Sequence, residues 1–170
     1  MEIQRYIGTE LSSSKMALGR VLQGLSQAEL DWRPASGCNS IGLILFHMAR
    51  TEDALVQGLL QKVAAVWDTE TWHETLGLAK EESGSHYTVD QVNAFKVPEL
   101  AKILAYYDAV RAKTKEKLRS MPVEAFDEKI MFPHVGEMTI GAFFAIIITH
   151  TAEHIGEISY LRGMQRGMDK

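Results

Sequence analysis

The chain has 170 residues, 46% hydrophobic and 24% charged, with a formal net charge of −4, which suits one globular domain over residues 1–170 with a substantial core. It has no basic run or Arg/Lys stripe, so a nucleic-acid partner is not expected, and its lone Cys38 excludes an intramolecular disulfide framework. The most apolar stretch, "IGAFFAIII", is far short of the about 20 residues that span a membrane, and the polar N-terminus lacks the apolar region of a secretory signal; a cytoplasmic protein with no membrane partner is expected.

Periodicity predicts a first helix over about residues 2–24, with Ile3, Ile7, Leu11, Leu18, Val21 and Leu22 on its apolar face. "SQAELDWRPASGCNS" follows as a break containing Pro34 and Gly37. A second helix, capped by Asn39 or Ser40, is predicted to run to about Val66. His47 lies inside it, on a face with Leu43, Ile44, Thr51, Ala54 and Gly58. Ala54 and Gly58 are small enough to admit a neighbouring helix closely. The first turns, "IGLILFHMA", are apolar nearly all round, so they should be buried on several sides; a second subunit is one way to cover them.

The segment from about Trp67 to Val97 is long and polar, with room for one or two short helices ("TETWHETLG", "TVDQVNAF"). A link of this length can cross the bundle and make the second and third helices parallel. The third helix follows Pro98 and ends near Met121, and the fourth follows Thr139 and runs to about Gln165. No run of alternating strands is evident. The fold expected is an all-α four-helix bundle.

The fourth helix poses the functional question. Phe143, His150, His154 and Leu161 share one narrow stripe, flanked by Ile147 and Ile158. Residues four apart are helix neighbours, so two imidazoles can reach one point. They are either core histidines with a donor and an acceptor each satisfied, or metal ligands. His47 shifts the balance: packing of the second helix on the fourth would let three imidazoles converge. Three neutral histidines suit Zn²⁺, Ni²⁺, Fe²⁺ or Mn²⁺ and leave a position for water or substrate, as catalytic metal sites do.

"HTAEH" also fits the H-x-x-E-H form of one metalloprotease class, but little chain follows for a further ligand, and Glu153 points well away from the histidine stripe. Glu157 is nearer that stripe and is the better candidate for an orienting acceptor, a base or an occasional ligand, against a reading as an edge carboxylate paired with Arg162. His73 and His86 fall in the long connection and are expected to face solvent. His134 precedes the fourth helix and could overhang the bundle opening. Cys38 sits just before a helix N-terminus, where a thiol pKa can fall, although a lone cysteine there is more often inert.

Two segments, "WRPASGCNSIGLILFHMARTEDALV" and "TIGAFFAIIITHTAEHIGEISYLRGM", resemble the DinB/YfiT-like metalloenzyme family. The shared pattern is a mid-helix His, here His47, and a His-x-x-x-His pair followed by Gly, here His150, His154 and Gly156. Glu157 stands where the family usually has Gln, which weakens any direct transfer of substrate specificity. The resemblance implies up-down-down-up topology, frequently a homodimer, and one divalent metal per chain, commonly Ni²⁺ or Zn²⁺, held by the three histidines. It also implies thiol-dependent chemistry in some relatives, in which a low-molecular-weight thiol is a co-substrate. Three readings follow: a thiol S-transferase, a metal-dependent hydrolase, and a non-catalytic, stress-related metal-binding bundle that dimerises.

Overall fold

The computed structural model of the chain describes residues 2–167. Long helices α1 (Ile3–Leu22), α3 (Ile41–Asp53), α7 (Leu100–Ser120) and α8 (Ile140–Arg166) form the bundle. Short helices α2 (Gln27–Asp31), α4 (Val66–Thr69), α5 (Trp72–Leu76) and α6 (Val89–Ala94) lie in its connections. Two of these, α5 and α6, match the short helices expected in the long link.

Side-chain partners fix the directions. Lys15 of α1 pairs with Asp108 of α7, and the Leu11 carbonyl accepts from Arg111 Nη1 at 3.0 Å, so those helices are antiparallel. Ile3 lies beside Gly141, while Arg162 donates to the carbonyls of Arg20 and Val21, so α1 and α8 are parallel. The apolar residues of Ile41–Ala49 in α3 share a core cluster with Ile103, Tyr106 and Val110 of α7, whereas Val56, further along, clusters with Leu118, which makes α3 and α7 parallel. His47 faces His150 while Val56 clusters with Phe143 and Ile147, so α3 runs against α8. The order is up-down-down-up, with the long crossover joining the two parallel helices α3 and α7.

Local chemistry sets the helix ends. Ser40 accepts from Leu43 N at 3.2 Å and Thr139 from Ala142 N at 3.2 Å, capping α3 and α8. The predicted break after α1 holds a short helix instead. Ser26 and Glu29 satisfy each other's backbone N–H groups there, a capping box that starts α2.

The second predicted helix also differs at its far end. From Ala54 to Gln61 it continues with π-helical turns and stops at Lys62, whose φ of 57° is left-handed. A π turn holds more residues than an α turn, so each residue advances the face less. Val56 and Gln57 are therefore buried, while Ala54 and Gly58 are exposed, and a Cβ on Gly58 would meet nothing within 4 Å. The close helix approach expected at those small residues is not made.

A two-stranded hairpin, β1 (Lys129–Phe132) and β2 (Gly136–Thr139), also departs from the strand-free expectation. The strands are antiparallel, with Ile130 opposite Met138. Four-residue strands are too short for alternation to register against the neighbouring helix pattern. His134 and Gly136 supply the positive φ of the turn.

The apolar core falls into two clusters. On α3 they are divided by Glu52 and Asp53, on α7 by Arg111 and Thr114, and on α8 by His150, Thr151 and His154. All of Ile41–Phe46 is buried within one chain. Phe46 stacks on Phe95 of the crossover at 5.5 Å, and a Cβ on Gly42 would lie 2.0 Å from Val97. The crossover thus covers the apolar start of α3, which no longer calls for a second subunit.

Candidate metal centre

Antiparallel packing of α3 on α8 brings His47 against His150 and His154. His150 Nε2 lies 3.0 Å from His47 Nε2 and 3.0 Å from His154 Nε2. All three nitrogens fall within 4.8 Å of one another, and all three side chains are half-buried. The outer nitrogens are also engaged. His47 Nδ1 is 2.9 Å from the Gly84 carbonyl oxygen, with Ser85 Oγ at 3.1 Å. His154 Nδ1 is 2.7 Å from Glu157 Oε2.

These partners assign the tautomers. A carbonyl oxygen and a carboxylate only accept, so both Nδ1 atoms donate, leaving lone pairs on Nε2 of His47 and His154. His150 Nε2 faces both lone pairs, and a single N–H there cannot serve two acceptors well. A cation satisfies all three nitrogens at once. Around a tetrahedral zinc with bonds of about 2.0–2.1 Å, ligand nitrogens stand about 3.4 Å apart, near the two separations of 3.0 Å, with the third pair within 4.8 Å.

Burial pushes His150 down to about 4, and the neighbouring His154 and His47 push in the same direction. His47 is lowered too, chiefly by burial, despite its bond to Gly84. Both are therefore neutral at neutral pH, the form that binds metal. A cavity of about 260 Å³ reaches His47 and His154. Leu43, Ile44 and Val92 form its apolar wall, and Asn39, Ser85, His86 and Tyr87 its polar one.

Residues 10–158 match the family model of the DinB superfamily. The chain belongs to that superfamily. No curated protein matches it. The fold resembles a conserved protein from Enterococcus faecalis at 22% identity, with a TM-score of 0.85 and 99% of each chain covered. It also resembles YfiT from Bacillus subtilis, described as "a probable metal-dependent hydrolase with an unusual four-helix bundle topology". There the identity is 14% and the TM-score 0.66, over 98% of this chain and 89% of the other.

In this DinB-superfamily chain the carboxylates and remaining histidines sort clearly. Glu157 is 54% exposed and holds His154, whereas Arg162 is spent on α1 carbonyls. Glu153 is exposed. His134 is exposed at the hairpin turn and does not line the cavity, nor does partly buried Cys38. His73 is half-buried beside Trp67. His86 is exposed, as expected of the long connection, yet it forms part of the cavity wall.

Gly84 and Ser85 are contributions that periodicity could not reveal. Gly84 has a φ of 74°, and a Cβ there would lie 3.2 Å from Arg50 Cβ, so glycine suits both the turn and the close approach. Arg50, one turn beyond His47, donates to the Glu82 carbonyl at 3.2 Å and stacks 4.5 Å over Trp67. It thereby ties the Gly84 segment to α3. The sequence signal was "ESGSH", a turn-forming run whose partner on α3 lies 37 residues away.

Proposed function

We propose that His47, His150 and His154 hold one divalent ion, Ni²⁺ or Zn²⁺ foremost and Fe²⁺ or Mn²⁺ by the same donor set, in an enzyme that transfers a low-molecular-weight thiol to an electrophile. The supporting observation is the convergence of three imidazole nitrogens beside a cavity whose lining, among the described residues, includes no carboxylate. Three protein ligands leave a position for an incoming group. When bound, such an ion lowers the pKa of a thiol or water and supplies a nucleophile at neutral pH.

The chain's own groups do the positioning. The Gly84 carbonyl and the Glu157 carboxylate orient His47 and His154 through their Nδ1–H groups. Leu43, Ile44 and Val92 keep water from one wall. Glu157, the nearby carboxylate, is engaged by His154, so among the described residues the cavity offers no free carboxylate as a general base, and His86 is the lining group left for that role. Hydrolysis benefits from such a base, whereas a thiol ionised at the centre does not need one. Hydrolysis is the second reading, favoured by the description of YfiT. A homodimer rests on family resemblance.

Elemental analysis of the purified protein beside His47→Ala and His154→Ala tests the centre. About one divalent ion per chain is expected, lost from both variants. Conjugation of a small thiol to a haloarene should then exceed the rate of His150→Ala. No metal on purification or titration overturns the centre. Conjugation equal to that of His150→Ala overturns thiol transfer, and metal-dependent ester hydrolysis in that case selects the second reading.

A further inference from the structure

The cavity beside the three histidines has two unlike walls. Leu43 and Ile44 of α3 with Val92 of α6 make one side apolar. On the other side, the Tyr87 hydroxyl is already committed to Glu82 and Ser85 Oγ lies against His47. Asn39 and His86 are different: among the described residues, neither side chain has a hydrogen-bond partner. Both offer N–H groups to whatever enters.

His86 is held in place at some cost. Its φ of 58° is left-handed, a conformation that disfavours residues with a Cβ. The segment before it is braced: the Ser85 backbone N donates to Ser83 Oγ at 3.2 Å, and Gly84 N donates to Tyr87 Oη at 3.2 Å. Gly84 O meanwhile anchors to His47. The segment that orients a candidate ligand histidine therefore also presents the His86 imidazole at the cavity. Strained residues held by their surroundings concentrate where ligands are bound.

We propose that His86 is the specificity-determining residue of this site, binding the hydrogen-bond-accepting end of a small amphipathic substrate. The donor atom of that substrate enters beside His47 and His154, its short carbon chain lies on Leu43, Ile44 and Val92, and its acceptor end meets His86 and Asn39. The volume of about 260 Å³ sets the size class, below the about 300–1,000 Å³ of pockets for drug-sized ligands. The inference deepens the metal-centre reading and rests on it.

The probes are 3-mercaptopropionate and 1-propanethiol, which share a thiol and a short chain and differ in the terminal carboxylate. Each is titrated into Co²⁺-loaded protein and followed through the thiolate-to-metal absorption band. Wild type should bind mercaptopropionate about tenfold more tightly, the scale of a hydrogen bond to a charged acceptor. His86→Gly accepts the left-handed φ without strain, so it should fold, load one ion per chain and bind propanethiol as wild type does. Its preference for mercaptopropionate should fall to within about twofold. A preference that survives in His86→Gly, or one that wild type lacks, overturns the role of His86 while the metal centre stands. Failure of wild type to load Co²⁺ overturns the metal-centre reading and this inference together.

Discussion

Helix α3 carries two polar clusters on different faces, and they are built to opposite rules. Toward α7, Glu52 accepts from Thr114 at 2.6 Å and from Arg111 Nε and Nη2 at 3.1 and 2.6 Å. Arg111 also donates to the Leu11 carbonyl, and the ion pair is only 3% exposed on each side. Toward α8, His47 joins two further imidazoles whose inner nitrogens face one another beside an open cavity. The first cluster is closed and complete. The second is complete only in its outer shell, where each Nδ1–H of His47 and His154 has an acceptor, while its inner nitrogens face one another with lone pairs to share. Burial alone does not mark function in this bundle. What sets the second cluster apart is an organised excess of lone pairs.

Breaking each cluster should therefore have different consequences. His150→Ala removes the middle imidazole and is expected to abolish stoichiometric metal binding. The half-buried position should leave a cooperative thermal transition. Retention of one ion per chain would dissolve the contrast, because the ion would then be held without the imidazole that the other two face. Arg111→Met should do the reverse. It leaves Glu52 charged and unpaired in the interior, at a cost of about 3–5 kcal/mol in urea unfolding, with metal content per folded chain unchanged. The double replacement Glu52→Leu with Arg111→Met should recover most of that loss, since apolar pairs of similar volume replace buried ion pairs at little cost. A single-variant cost below about 1 kcal/mol would show the pair to be better hydrated than its burial implies.

This contrast also explains what the sequence disclosed. The bundle, its long crossover and the placement of the three histidines on facing apolar stripes follow from helical periodicity, which is local and repeats over many turns. The shift of face beyond Ala54 depends on π-helical turns, which no periodic pattern announces. The Gly84 carbonyl depends on a backbone group from a distant turn, and carbonyls carry no sequence identity. The Glu52–Arg111 pair joins residues 59 apart, and neither position looks unusual on its own helix. Ligand-type side chains were legible, whereas the groups that orient them came from tertiary contacts.

Acid sharpens the same comparison by a smaller amount. His150 lies at about 4 in the folded chain against 6.5 ordinarily. Between those values the unfolded chain takes up a proton that the folded one refuses, so metal-free protein should lose stability as pH falls through that window. His47, also lowered, adds in the same direction. Urea midpoints at pH 7.5, 6, 5 and 4 would trace the loss, and in His150→Ala the slope should be shallower. An unchanged slope would remove His150 as its source.

The smallest expected effect concerns Glu157, and it separates orientation from ligation. Its carboxylate accepts from His154 Nδ1 at 2.7 Å while 54% exposed. Partners of this kind typically contribute about 10–100-fold to metal affinity, and exposure places Glu157 near the low end because water can take over part of the bond. Glu157→Ala should weaken metal binding by about tenfold. Glu157→Gln keeps an oxygen to accept the Nδ1–H bond, so it should stay within about threefold of wild type. An equal, full loss in both variants would mean that the negative charge itself acts at the centre, with Glu157 as a fourth ligand that closes the site. A closed site admits no substrate, and the contrast between the two faces of α3 would then be one between two structural clusters.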